Sequence, residues 1–174
     1  MMFLASLVFS ILALPTTAVS QPLEERGSPA GLGSITVLNN MGYTVFMWSV
    51  DDQRAPMKTI PPGGEYRETY RLHPKGGGIS IKLSTSPDIT NIVQFEYTQA
   101  GEKIFWDVSC VNTKPGSPFY AKGVSLQTSS SDCPHAFTCA AGDSKCPHVY
   151  HKWNDDHASH GCPIHTSFRF QLGL

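Results

Sequence analysis

From residue 33 onward, apolar and polar side chains alternate with a period of two in short runs, each closed by a turn signal. ITVLNN leads through Met41-Gly42 into YTVFMWSV, the clearest strand pattern in the chain. PPGGEYRETYRL follows as a Pro-Gly turn and a strand with Tyr66, Tyr70 and Leu72 on one side. GGGISIKLS places Ile79, Ile81 and Leu83 on one face and Ser80, Lys82 and Ser84 on the other. NIVQFEYT sets Val93, Phe95 and Tyr97 opposite Gln94 and Glu96. KIFWDVSCV turns Ile104, Trp106, Val108 and Cys110 inward and Asp107 outward. GVSLQT and TSFRFQL are two further candidates, and no segment sustains a helical period. Seven or more short strands with such turns predict an all-β sandwich, with the cysteine-rich region 133–163 as a loop excursion between the last two strands.

Composition agrees with that class. Only 16% of the residues are charged, while 15 glycines and 13 prolines supply turns. Thirteen Lys and Arg stand against 14 Asp and Glu, so the basic stripe expected of a nucleic-acid binder is missing. The first twenty residues, MMFLASLVFSILALPTTAVS, carry an apolar core too short to span a bilayer, then Pro15 and the small-residue pattern Ala18-Val19-Ser20. They read as a secretory signal peptide cleaved after Ser20, with residues 21–32 as a flexible arm and 33–174 as one domain. Export without a membrane anchor is expected. No Asn-x-Ser/Thr sequon occurs.

Five cysteines in an exported chain form at most two disulfides and leave one over. Cys133, Cys139, Cys146 and Cys162 cluster, and the sequence alone allows three pairings. Cys110, beside Val108 and Trp106 in strand parity, reads as a buried free thiol. Four of the seven histidines fall between Cys146 and Cys162. A bis-histidine copper or zinc site drawn from His135, His148, His151, His157, His160 or His165 is conceivable. The spacing matches no zinc-finger register and oxidised cysteines cannot ligate, so the expectation is solvated histidines on a stapled loop, with no metal or cofactor. No G-x-S-x-G signature supports acyl transfer.

The run CPHVYHKWNDDHASHGCP, residues 146–163, resembles the C-terminal signature of thaumatin-like proteins. There a Cys-Pro, a Tyr, an Asp pair and a second Cys-Pro follow in this order. ITVLNNMGYTVFMWS, IPPGGEYRETYRL, IFWDVSCVN and TSFRFQL resemble further strands of that family, so the likeness spans roughly residues 33–172. The chain lacks most of the disulfide-rich second lobe of the plant members and the cysteine pair joining their first and last strands. In this it is similar to the small secreted fungal group, the CetA/CalA-like or Blastomyces yeast-phase-specific family. The resemblance implies a thaumatin-like β-sandwich at the fungal cell wall or surface, with disulfides Cys133–Cys162 and Cys139–Cys146.

It also implies a carbohydrate cleft. The family's cleft, an Arg, a Glu and three Asp, is associated with β-1,3-glucans. Position by position, one Asp is kept as Asp107, the next becomes Asn112, the Arg becomes Lys82 and the Glu falls on Gln94, with Glu96 two residues along. The last Asp corresponds to Asp155 or Asp156. Glycoside hydrolysis needs two competent carboxyls, and two charges have been lost. The expectation is therefore binding of cell-wall β-1,3-glucan without catalysis. A surface adhesion or host-interaction role, with a host or cell-surface protein as partner, and a weak endo-β-1,3-glucanase are the alternatives.

Overall fold

A computed structural model describes residues 31–53, 55–73 and 75–174. The expected signal peptide and nearly all of the arm lie outside the described residues. Among the described residues, eleven strands build two sheets. The five-stranded sheet runs in the order β4 (Glu65–Thr69), β1 (Ser34–Asn39), β11 (Phe168–Leu172), β8 (Val124–Thr128), β9 (Phe137–Cys139). The six-stranded sheet runs β10 (His160–Pro163), β7 (Lys103–Ser109), β6 (Ile92–Ala100), β5 (Ile79–Ser84), β2 (Val45–Val50), β3 (Lys58–Ile60). First and last strands, β1 and β11, pair in parallel, and every other strand pair is antiparallel.

The two-residue alternation is what makes this a sandwich. Ile35 and Val37 of β1, with Phe168, Phe170 and Leu172 of β11, are buried and share one core with Ile79, Ile81 and Leu83 of β5 and Val93, Phe95 and Tyr97 of β6. Phe95 sits at its centre. Its ring centroid lies 6.1 Å from Trp106 on the same sheet and 5.5 Å from Phe168 on the other. Trp106 and Phe168 also meet across the sheets at 4.7 Å. Stacked and tilted aromatic contacts at these spacings contribute about 0.5–1.5 kcal/mol each beyond area burial. At one end of the core, fully buried Asn39 donates to the carbonyls of Tyr43 and Ile60 and accepts from the Met41 N–H. Its amide is thereby satisfied, and it fixes the β1–β2 turn against β3.

Three sequence expectations are corrected. Leu72 does not continue the Tyr66–Tyr70 face: β4 ends at Thr69, and Leu72 is exposed. The short helix α1 (Pro118–Lys122) has no counterpart in the periodicity, because five residues are too few to show one. Its signals were local, namely Pro at the first turn and Gly123 just past the end. Gly123 has φ 73°, and a Cβ there would lie 2.7 Å from the Cys139 carbonyl oxygen, so the position excludes other residues. Region 133–163, finally, is more than a loop. It supplies β9 to one sheet and β10 to the other, with a single 3-10 turn (Asp156–Ala158) between.

Candidate functional site

Strand register places the candidate residues on the outer face of the six-stranded sheet. Ser80 pairs with Glu96, and Glu96 with Asp107; two residues along, Lys82 pairs with Gln94, and Gln94 with Ser109. Side chains on one face alternate, so β5, β6 and β7 present two parallel rows of three polar groups. In the second row, Gln94 is buried and shared between neighbours. Its Oε1 accepts from Lys82 Nζ and from Ser80 Oγ (3.3 Å), and its Nε2 donates to Ser109 Oγ (3.4 Å). Lys82 also donates to Ser80 Oγ at 3.3 Å. A neutral amide does here what a carboxylate could do only with added desolvation cost: it joins three strands through hydrogen bonds.

The first row holds the acidic chemistry. Burial pushes the Asp107 carboxyl up to about 7, and the adjacent Glu96 pushes in the same direction. Near neutral pH, Asp107 is therefore able to donate as well as accept a hydrogen bond. A cavity of ≈ 320 Å³ opens over this row, lined by Ser80, Glu96, Thr98, Phe105, Asp107 and Ser159 among others. Phe105 is 44% exposed. Its ring lies over Gly161 of β10, where a Cβ would stand 3.0 Å from it. Glycine on the edge strand thus gives an aromatic wall its place.

The 146–163 segment forms the other wall. Tyr150 joins β7 through a parallel bridge: its N–H donates to the Val108 carbonyl (2.9 Å), and its carbonyl accepts from the Cys110 N–H (2.7 Å). Burial and the negative charges of Asp107 and Asp156 raise the Tyr150 phenol. Its hydroxyl is 3.5 Å from Asp156 Oδ1. Of the Asp pair, then, Asp156 reaches the rim of the site. Asp155 is occupied elsewhere, since its Oδ2 accepts the N–H groups of His151 (2.9 Å) and Lys152 (2.8 Å). Asn112 lies in the exposed turn after β7, where its carbonyl accepts from the Ile92 N–H, outside both rows. Phe105, Ser109 and Tyr150 were not named as site residues from sequence, although Tyr150 belongs to the 146–163 signature. Phe105 and Ser109 share the outward parity of Asp107, whereas nothing in the local pattern shows the bridge that brings Tyr150 in.

Both disulfides are present: Cys133–Cys162 ties the segment before β9 to β10, and Cys139–Cys146 closes the turn after β9. Cys110 is free and buried, and burial raises its thiol pKa. The histidines are held mostly by ring contacts. His160 stacks on His135 at 4.2 Å and meets Trp106 at 4.9 Å, while His148 stacks on Phe137 at 5.5 Å. Burial and the neighbouring histidines lower the His160 pKa. Ring nitrogens of His151 and His157 face the carbonyl oxygens of Cys146 (2.9 Å) and Pro147 (3.2 Å). His165 is exposed. Among the described residues no three His, Cys, Asp or Glu side chains converge as metal ligands.

Solved structures share this architecture. The crystal structure of the protein elicitor MoHrip2 from Magnaporthe oryzae superposes with a TM-score of 0.65 at 22% identity, covering 82% of this chain and 99% of that one. The thaumatin-like xylanase inhibitor TLXI gives 0.52 at 11% identity, covering 79% and 97%. The fold is thus thaumatin-like. The chain belongs to the Bys1 family, Blastomyces yeast-phase-specific protein, whose sequence profile matches residues 26–173. It is 36% identical over 159 residues to the secreted thaumatin-like protein calA of Emericella nidulans, covering 91% of this chain and 92% of the relative. It is 39% identical over 164 residues to the antigenic thaumatin-like protein of Arthroderma benhamiae, covering 94% and 81%. It is accordingly a secreted fungal thaumatin-like protein, located outside the cell.

Proposed function

We propose that the outer-face site binds β-1,3-glucan of the fungal wall without cleaving it. The observation that carries this reading is the pairing of an exposed aromatic, Phe105, with the polar row Ser80–Glu96–Asp107 along one open cavity. Pyranose rings offer an apolar C–H face and a rim of hydroxyls, and such a surface meets both. Asp107, half protonated near pH 7, can pair with a hydroxyl in either direction. Insoluble β-1,3-glucan should retain the protein, and Phe105→Ala should reduce retention at least about tenfold, the loss of one stacking contact. Retention unchanged by Phe105→Ala would remove the support for this reading.

A second reading, weak hydrolysis, is favoured by one observation. Asp107 lies in the pKa range of a general acid, and Glu96 stands beside it. Against it, Gln94 occupies the centre of the second row as a neutral residue committed to structural hydrogen bonds. A retaining or inverting mechanism also places its two carboxyls on opposite sides of the scissile bond. Glu96 and Asp107 are adjacent in register on one sheet surface.

A further inference from the structure

A larger cavity, ≈ 400 Å³, opens at the mouth between the two sheets, where the β2–β3 connection meets the strand β4. Its size falls in the range of small-molecule sites, about 300–1,000 Å³. Arg71 stands at its centre, held from three sides. Its Nη1 lies 2.7 Å from Asp51 Oδ2, its Nη2 donates to Ser49 Oγ at 3.2 Å, and its Nε is 3.8 Å from Glu68 Oε1. Glu68, whose side chain is only 11% exposed, accepts the hydroxyls of Tyr66 (2.8 Å) and Tyr97 (2.6 Å). The connecting segments are clipped together as well: Asp52 meets His73 at 3.1 Å and Lys75 at 3.0 Å. A network of this kind is already ordered before any ligand arrives, so binding costs little conformational entropy.

The network alone could be a clamp between the sheets, since Glu68 and Tyr97 come from opposite sheets. Three features exceed that role. Lys58 joins the clamp only through a cation–π contact, its ammonium 4.9 Å from the Tyr66 ring centroid, and among the described residues it donates to no protein oxygen. The Gln53 side chain lines the same cavity without a described partner. Ala55, Pro56 and the Tyr66 ring supply apolar wall. Among the described lining residues charge balances, with Lys58 and Arg71 against Asp51 and Glu68. What these residues leave on offer is hydrogen-bonding groups over an apolar wall. That combination fits a neutral polyhydroxylated ring.

From this we infer that the Ser49–Lys58–Arg71 cavity is a second saccharide site, separate from the outer-face cleft and taking a neutral hexose unit. It does not depend on the glucan reading, because no residue carrying the acidic row belongs to it. Amide NMR of the secreted protein, titrated with laminaribiose and mannobiose to millimolar concentration, tests it. Resonances of Ser49, Asp51, Lys58 and Tyr66 should shift, and Gln53→Ala with Lys58→Ala should weaken that response about tenfold. Both residues are exposed and, among the described residues, make no tertiary hydrogen bond through their side chains, so the double variant should keep its fold, as its remaining amide spectrum will show. Glu96→Gln should leave these shifts in place, which separates failure of this site from failure of the outer cleft. No shift at these residues with either disaccharide overturns the proposal. So does an undiminished response in the double variant, or a response only to an acidic disaccharide such as digalacturonate.

Discussion

The outer face of the six-stranded sheet and the segment from Cys133 to Pro163 meet at Tyr150 but are built by different means. On the sheet, backbone register sets each side chain: Glu96 faces Asp107 because β6 and β7 pair there, and slipping one strand by one residue would turn its own acidic residue toward the core. In the segment, two short strands are joined by chain with little regular structure. Position there comes from two disulfides, from Asp155 capping two backbone N–H groups, and from stacked histidine rings. One region distributes its stability over many ladder bonds. The other concentrates it in a few cross-links, so single changes should matter more there.

The largest effect should follow loss of Cys133–Cys162. Replacing both cysteines with alanine releases a loop spanning 29 residues and should lower stability by about 3 kcal/mol, measured by denaturant unfolding. Removing Cys139–Cys146, with its separation of 7, should cost about 2 kcal/mol and leave the sheet signals intact. A larger loss from the shorter loop would reverse the ranking and show that the 139–146 turn organises the segment.

On the sheet the sign should be opposite. Asp107 has a folded pKa of about 7 against 3.8 unperturbed, so its protonated form is favoured by folding. Stability from this group is complete below pH 3.8 and is lost as pH rises through 7. The full difference corresponds to about 4 kcal/mol, and partial exposure should halve it to roughly 2 kcal/mol. Asp107→Asn should therefore stabilise the protein by about 2 kcal/mol at pH 8 and leave it unchanged at pH 4. His160 works the other way. Its lowered pKa means that stability is present above about 6.5, the ordinary imidazole value, and falls as pH drops below it. His160→Gln should flatten the acid side of the profile and Asp107→Asn the alkaline side.

Smaller effects sharpen the contrast. Cys110 is buried with the hydroxyls of Thr113 and Tyr120 within hydrogen-bond reach. Serine there keeps polar partners, so Cys110→Ser and Cys110→Ala should each cost about 1 kcal/mol. Asp155→Ala should leave the global midpoint unchanged. It should speed amide exchange at His151 and Lys152, because those N–H groups lose their shared acceptor.

The same division explains what could be read in the sequence. Alternation marked β1 and β2 as strands and identified the core-facing side chains of β5, β6 and β7, and with them the outward parity of Lys82, Gln94, Glu96 and Asp107. It could not give register, so the pairing of Glu96 with Asp107 appears only when the strands align. β3, β9 and β10 were missed because three or four residues carry too little period to distinguish a strand from a loop. Asp155 and Asp156 were indistinguishable in sequence. One turn of backbone assigns the first to capping and the second to the rim beside Tyr150.

The most direct test of glucan binding without cleavage is a titration of laminarihexaose, followed by mass analysis of the sugar after prolonged incubation, for wild type, Asp107→Ala and Asp107→Asn. Wild type should bind and return the hexaose intact, and Asp107→Ala, which deletes a hydrogen-bonding group from the polar row, should bind at least about tenfold more weakly. Shorter oligosaccharides released by wild type and abolished by Asp107→Asn, or binding indifferent to Asp107→Ala, would contradict it.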